Sequence, residues 1–302
     1  MSAAFHTLGP LSVGNVINAA LRLYKDNYKI YLPIALQAGL WSLLPTVVEL
    51  ILTGVLFKNT ESTSFVRLLV FPLQIFSTAK FLSLAAVIAR LAFQQLIYRP
   101  ETPVEAKAPV IKKMWQFLFV QAQISLLIFI AIIALGIVGA IVVSISTVIP
   151  LLAVILVPAF IVLMFLALTI VYARIIIPEV CLAVEDNLTA FKAIKRSWEL
   201  TAGLSWRIVS IISIAFLVTI PLYILASVPF WLALVPLFGE GAALDNRDIE
   251  SASAQGVIFG VLIFSVLNIL ALPFWQALKG VIYYDLRNRK EGLELTIEDG
   301  NL

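Results

Sequence analysis

The stretch WQFLFVQAQISLLIFIAIIALGIVGAIVVSISTVIPLLAVILVPAFIVLMFLALTIVYA, residues 115–173, contains no charged side chain. As a single helix rising ~1.5 Å per residue it would measure about 88 Å, whereas a bilayer core is ~30 Å thick. One crossing cannot absorb that length, and two with some overhang can. The reversal is expected in SISTVIP, residues 144–150, where serine, threonine and Pro150 weaken the helix.

The rest of the chain agrees with that reading. It is 302 residues long, 61% hydrophobic and 13% charged, with a mean hydropathy of +1.02. Soluble domains are about 45–50% apolar and about 25% charged. Long apolar runs recur along the chain, so the expected fold class is all-α, a polytopic helical bundle forming one membrane domain over residues 1–302. Six spans are expected, at about 30–56, 66–97, 115–146, 150–173, 206–236 and 256–283. The start, MSAAFHTLGPLSVGN, lacks the basic flank and apolar core of a signal peptide, so no cleavage is expected. A single cysteine, Cys181, rules out an internal disulfide.

Lysine and arginine placement sets the expected orientation. With the N-terminus inside, 16 of the 21 cations fall on the inner side. Lys58, Arg67 and Arg247 fall outside, and Lys80 and Arg90 lie within the second span. Such asymmetry predicts N-in and C-in, with a cytoplasmic tail over 284–302. The outer loop FGEGAALDNRDIESASA, residues 238–254, is acidic.

Amphipathic segments precede three hairpins of spans. Over 187–203, Leu188, Phe191, Ile194, Trp198 and Ala202 share one helical face, and Lys192, Lys195, Arg196 and Glu199 share the opposite one. Lys195 and Glu199 form an i,i+4 pair, and Asp186 or Asn187 is placed to cap the start. Over 11–28, Val13, Val16, Ile17, Ala20, Leu23 and Tyr24 oppose Asn15, Asn18, Arg22, Lys25 and Asp26, with Ser12 as the cap. A poorer example covers 103–115, interrupted by Pro109. These patterns predict interfacial helices, with apolar faces at the acyl boundary and cations at the headgroups. Arg22, Lys25, Lys192, Lys195, Arg196 and Trp198 are the candidate surface for anionic lipid or a protein partner. Simple anchoring of the chain is the alternative.

Three blocks resemble a bacterial family named after the membrane domain of glycerophosphoryl diester phosphodiesterase. They are LSVGNVINAALRLYKDNYKIYLPIAL near the start, PEVCLAVEDNLTAFKAIKRSWELTAGLSWRIV in the centre and YYDLRNRKEGLEL near the end. Arg196, Ser197, Trp198, Leu200 and Thr201 match its central signature. Tyr284, Asp285, Leu286, Arg287, Arg289, Glu291 and Gly292 match its closing motif. The resemblance implies a helical integral membrane domain in a bacterial cytoplasmic or other internal membrane. Some relatives carry a phosphodiesterase barrel; with no barrel in this sequence, no catalytic role is carried over.

Catalytic chemistry is not expected. One histidine, His6, and one cysteine do not make a usual zinc or haem site. There is no G-x-S-x-G elbow and no phosphate-binding loop of the G-x-x-x-x-G-K-[ST] type. No cofactor and no nucleic-acid partner is expected. Polar groups within the spans are a sharper signal, since a cation at the bilayer centre costs roughly 2.5–3.5 kcal/mol on insertion scales. Glu49, Lys80, Arg90 and Gln94 form the candidate intramembrane site, with Glu49 as the expected partner of Lys80 and with Arg90 and Gln94 directed to the inner headgroups. Glu179, Asp285, Arg287 and Arg289 are candidate structural ion pairs, and Asp285 with Arg196 is the expected link between tail and central helix. Pro150, Pro158, Pro221, Pro229, Pro236 and Pro273 permit kinks, as packing devices or as hinges.

Two functions therefore compete. One is a non-enzymatic membrane scaffold or accessory protein whose basic cytoplasmic face engages anionic lipid, a protein partner or a second copy. The other is a small transporter or lipid-handling protein with a polar intramembrane site.

Overall fold

The computed structural model describes residues 10–53, 60–238 and 246–292. His6, Lys58, residues 239–245 of the acidic loop and residues 293–302 of the tail lie outside the described residues. The described chain forms α1 (Val13–Ile51), α2 (Thr60–Leu96), α3 (Pro103–Lys112), α4 (Met114–Val148), α5 (Pro150–Arg174), α6 (Pro178–Val184), α7 (Ala190–Thr201), α8 (Ser205–Phe238) and α9 (Asn246–Glu291). Among the described residues, six stretches are long and apolar enough to cross a membrane: Val13–Ile51, Ser64–Leu96, Met114–Val148, Leu151–Val184, Ser205–Leu225 and Ile263–Glu291. The protein is an all-α, multi-pass membrane bundle.

The long uncharged stretch folds as its length dictates. Its first helix ends at Val148, Ile149 leaves helical geometry (φ −129, ψ 86), and Pro150 opens the second. Proline suits the first turn because its missing N–H has no intrahelical acceptor there. The most apolar windows of α4 and α5 bury nothing inside the protein. Their side chains are left to lipid, which is as apolar as they are.

The centre of the bundle is α9, packed against α8, α1 and α2. Small residues allow its close crossing with α2. Ala85, Ala86, Ala89 and Ala92 on α2 are fully or almost fully buried, as are Ala277 and Gly280 on α9. A Cβ added at Gly280 would stand 2.8 Å from the Ala89 carbonyl oxygen. One turn along, the Phe93 and Tyr283 rings meet at 5.1 Å.

Two expected boundaries change. The expected segments 11–28 and 30–56 meet in one helix, α1 (Val13–Ile51), bent at Asn27 (φ −116, ψ 17), whose side-chain amide donates to the Leu23 carbonyl at 2.9 Å. Ser12 caps that helix through Asn15 N–H at 3.2 Å, as its position predicted. The apolar face of the first arm does not lie toward lipid. Val16, Ile17, Ala20 and Leu23 are buried in the common core. The second change is at the other end, where α9 continues to Glu291, so the tail expected from residue 284 begins as buried helix through Tyr284, Asp285 and Leu286. The helices also run through Pro158 and Pro273.

Candidate functional site

Three carboxylates organise the basic end of the bundle. The first is Asp285, on the last turns of α9, with its side chain 2% exposed. Burying a charge to that degree requires partners, and it has three. Leu11 N–H donates to Oδ1 at 2.9 Å. Arg207, at the start of α8, donates to Oδ2 from Nε at 3.1 Å and from Nη2 at 2.9 Å. Arg289, one turn on, donates at 3.2 Å. Both guanidinium groups also donate to the Leu11 carbonyl, Arg289 at 2.8 Å. Asp285 thus ties the entry to α1, the start of α8 and the end of α9.

The second is Glu185, just after α6. Its Oε1 accepts from Arg196 Nε at 3.1 Å and from the Tyr283 hydroxyl at 2.7 Å. Arg196 also pairs with Glu291, which holds Arg287 at 2.8 Å. Burial alone would lower the Arg196 pKa, but Glu185 and Glu291 outweigh it and hold the guanidinium above its usual value. The third is Glu101, which receives Arg90 at 2.8 and 2.7 Å and Gln94 at 2.8 Å. Arg90 Nη1 donates to the Ala183 carbonyl at 2.7 Å, and Lys113 donates to the Leu182 and Glu185 carbonyls at 3.1 and 2.7 Å. These cations complement the orphan carbonyls at the end of α6. Lys113 has its pKa lowered, chiefly by burial.

The α7 segment has three faces rather than two. Ala193, Ser197, Leu200 and Thr201 are buried against the bundle. Phe191 is 70% exposed and Trp198 46%. Lys192, Lys195 and Glu199 are exposed, with Lys195 and Glu199 paired at 3.8 Å as their spacing predicted. Neither Asp186 nor Asn187 caps the helix: Thr189 stands at the cap, without a side-chain bond. Ser197 instead donates to the Arg174 carbonyl at 2.7 Å, and the Arg174 guanidinium lies 5.2 Å from the Trp198 ring. A two-faced wheel misses this because it has no place for the protein as a third neighbour.

The expected intramembrane site does not assemble. Glu49 pairs with Arg67 at 3.1 Å, eighteen residues along the chain and not with Lys80. Lys80 lies 5.6 Å from the Phe76 ring centroid. Arg90 and Gln94 turn to Glu101 instead of the headgroups. The expected Arg196–Asp285 link is replaced by Arg196–Glu291, which still fastens the end of α9 to α7. Glu179 does not join the Asp285 cluster but pairs with Lys279 inside the last span. Lys279 is a lone cation in ALPFWQALKGVIYY, residues 271–284, one of the 16 that charge counting places on the inner side. Of the expected pairs, Asp285–Arg289 forms as its i,i+4 spacing requires.

Arg22 and Lys25 lie on the exposed side of the first arm of α1, beside Tyr28, which is 50% exposed. Trp206, at the start of α8, is 61% exposed. Comparison with protein-family models, with curated proteins and with solved structures finds no match for this chain.

Proposed function

We propose that the chain is a non-enzymatic membrane protein of a bacterial cytoplasmic or other internal membrane. Both termini lie inside, and the basic end serves as a docking surface for anionic headgroups. One observation carries this reading. After the internal pairs are formed, Lys192 remains exposed on α7 with Phe191 and Trp198, and Lys25 remains exposed on α1 with Tyr28. Amphipathic rings favour the headgroup level, and each lysine near an anionic leaflet contributes about 1 kcal/mol. The likeness of the three sequence blocks to the membrane-domain family supports the same reading, because those blocks supply Leu11, Arg196 and Asp285. A protein partner or a second copy would use the same surface.

The test is thermal unfolding of the full chain in nanodiscs of phosphatidylglycerol or of phosphatidylcholine. The anionic bilayer should stabilise it, and Lys25→Gln with Lys192→Gln and Lys195→Gln should remove most of that difference. Equal midpoints in the two lipids would overturn the proposal.

A second reading, a lipid-handling protein or small transporter, is supported by a cleft beside α9 rather than by Lys80.

A further inference from the structure

A cleft of about 720 Å³ opens between α1, α2, α5, α8 and α9. That volume lies in the range of small-molecule sites, roughly 300–1,000 Å³. It follows one face of α9 from Phe264 to Lys279, a rise of about 22 Å. Ile212, Phe216 and Leu272 make its wall apolar, while Trp275, Gln276 and Lys279 gather at the end nearer the basic surface.

Two polar atoms at that end lack protein partners. Gln276 is 5% exposed, yet its Oε1 accepts no hydrogen bond, and the adjacent Trp275 Nε1 donates none. At membrane depth an unsatisfied polar atom costs several kcal/mol; both atoms are covered as the side chains stand, so a turn of Gln276 and Trp275 is what presents them to a bound molecule. The pair is one acceptor and one donor. A hydroxyl satisfies both kinds, whereas a carboxylate only accepts and an ammonium only donates. Charge narrows the choice further. Lys279 lines the cleft but is already neutralised by Glu179. An anionic head would enter with no spare cation.

We infer that this cleft holds a neutral, hydroxylated amphiphile. Its apolar chain lies along α9 against Ile212, Phe216 and Leu272, and its hydroxyl head bonds to Gln276 and Trp275. The inference rests on the lipid-handling reading and is independent of the anionic docking surface.

The experiment is native mass spectrometry and thermal shift of the full-length protein in detergent, with mono-oleoylglycerol and oleate as probes. Mono-oleoylglycerol should bind with one-to-one stoichiometry and raise the unfolding temperature, with oleate at least tenfold weaker. Gln276→Leu removes an orphaned acceptor and keeps a similar volume, so it should fold. It should bind mono-oleoylglycerol about tenfold more weakly, the loss of one buried hydrogen bond. Leu272→Trp, which fills the groove and leaves the polar end intact, should also abolish binding. Oleate binding as tightly as mono-oleoylglycerol would overturn the neutral head while leaving a lipid-handling cleft. Unchanged binding in Gln276→Leu would overturn the assigned contact. Binding of neither probe would overturn the inference and the lipid-handling reading together.

Discussion

Asp285 shows what a single side chain can hold in this protein. It is nearly inaccessible and carries Leu11 N–H, Arg207 and Arg289 at once. Removing one member of a buried ionic cluster leaves the others uncompensated, which typically costs 3–5 kcal/mol. Asp285→Asn should therefore lower stability by about 3 kcal/mol. It should also raise amide exchange around Leu11, since the N–H there loses its acceptor. Thermal unfolding with site-resolved hydrogen exchange measures both. Lys80 is the opposite case. It faces an aromatic ring at cation–π distance, a contact of about 0.5–2 kcal/mol, against an insertion cost of roughly 2.5–3.5 kcal/mol. Lys80→Met should leave the unfolding midpoint unchanged or raise it, and a clear drop would reveal a partner for the ammonium. The sequence disclosed which residues are costly to place in a membrane but not their partners. Glu49 and Lys80 belong to neighbouring spans, which suggested a pair; Arg67, on the same helix as Lys80, is the residue that reaches Glu49.

At the level of the helix, periodicity and length carried most of the information. The reversal before Pro150 followed from the thickness of a bilayer and the absence of charge over 115–173. The bend at Asn27 was visible only as a change from amphipathic to apolar pattern, because one bent helix and two separate ones share that pattern. The α2–α9 crossing was not legible. Alanine-rich sequence in a span is compatible with lipid contact as well as with close packing. Gly280 is where the difference is largest. A methyl group there meets the Ala89 carbonyl at 2.8 Å and Ala92 Cβ at 3.2 Å, and backbone cannot swing aside as a flexible side chain can. Gly280→Ala should cost about 1–3 kcal/mol by overpacking, in spite of the better helix propensity of alanine. Chemical unfolding in mixed micelles would show it, and a stabilised variant would mean that the two helices are free to separate.

For the molecule as a whole, six crossings would put both ends of the chain on one side, and the lysine and arginine asymmetry predicts that this side is the inner one. Reporter fusions at residues 1 and 302 should both read as cytoplasmic, and one within 239–245 as external. Opposite readings from the two termini would require an odd number of crossings. The basic end was legible as a whole from charge counting, yet charge counting predicted a more open surface than the fold provides. Arg90, Lys113, Arg196, Arg207 and Arg289 all turn inward to carboxylates or carbonyls.

That inward turn has a temporal side. Arg207 enters with α8, but the carboxylate that receives it, Asp285, is synthesised 78 residues later at the end of α9. Until then Arg207 is a positive charge without its carboxylate, which on the proposed orientation would retain its end of the helix on the inner side during insertion. The last helix then quenches the same charge and seals the first. A nascent chain halted before residue 285 should be oriented correctly yet remain unlatched. Pulse-chase degradation by membrane proteases should clear it faster than the full-length protein.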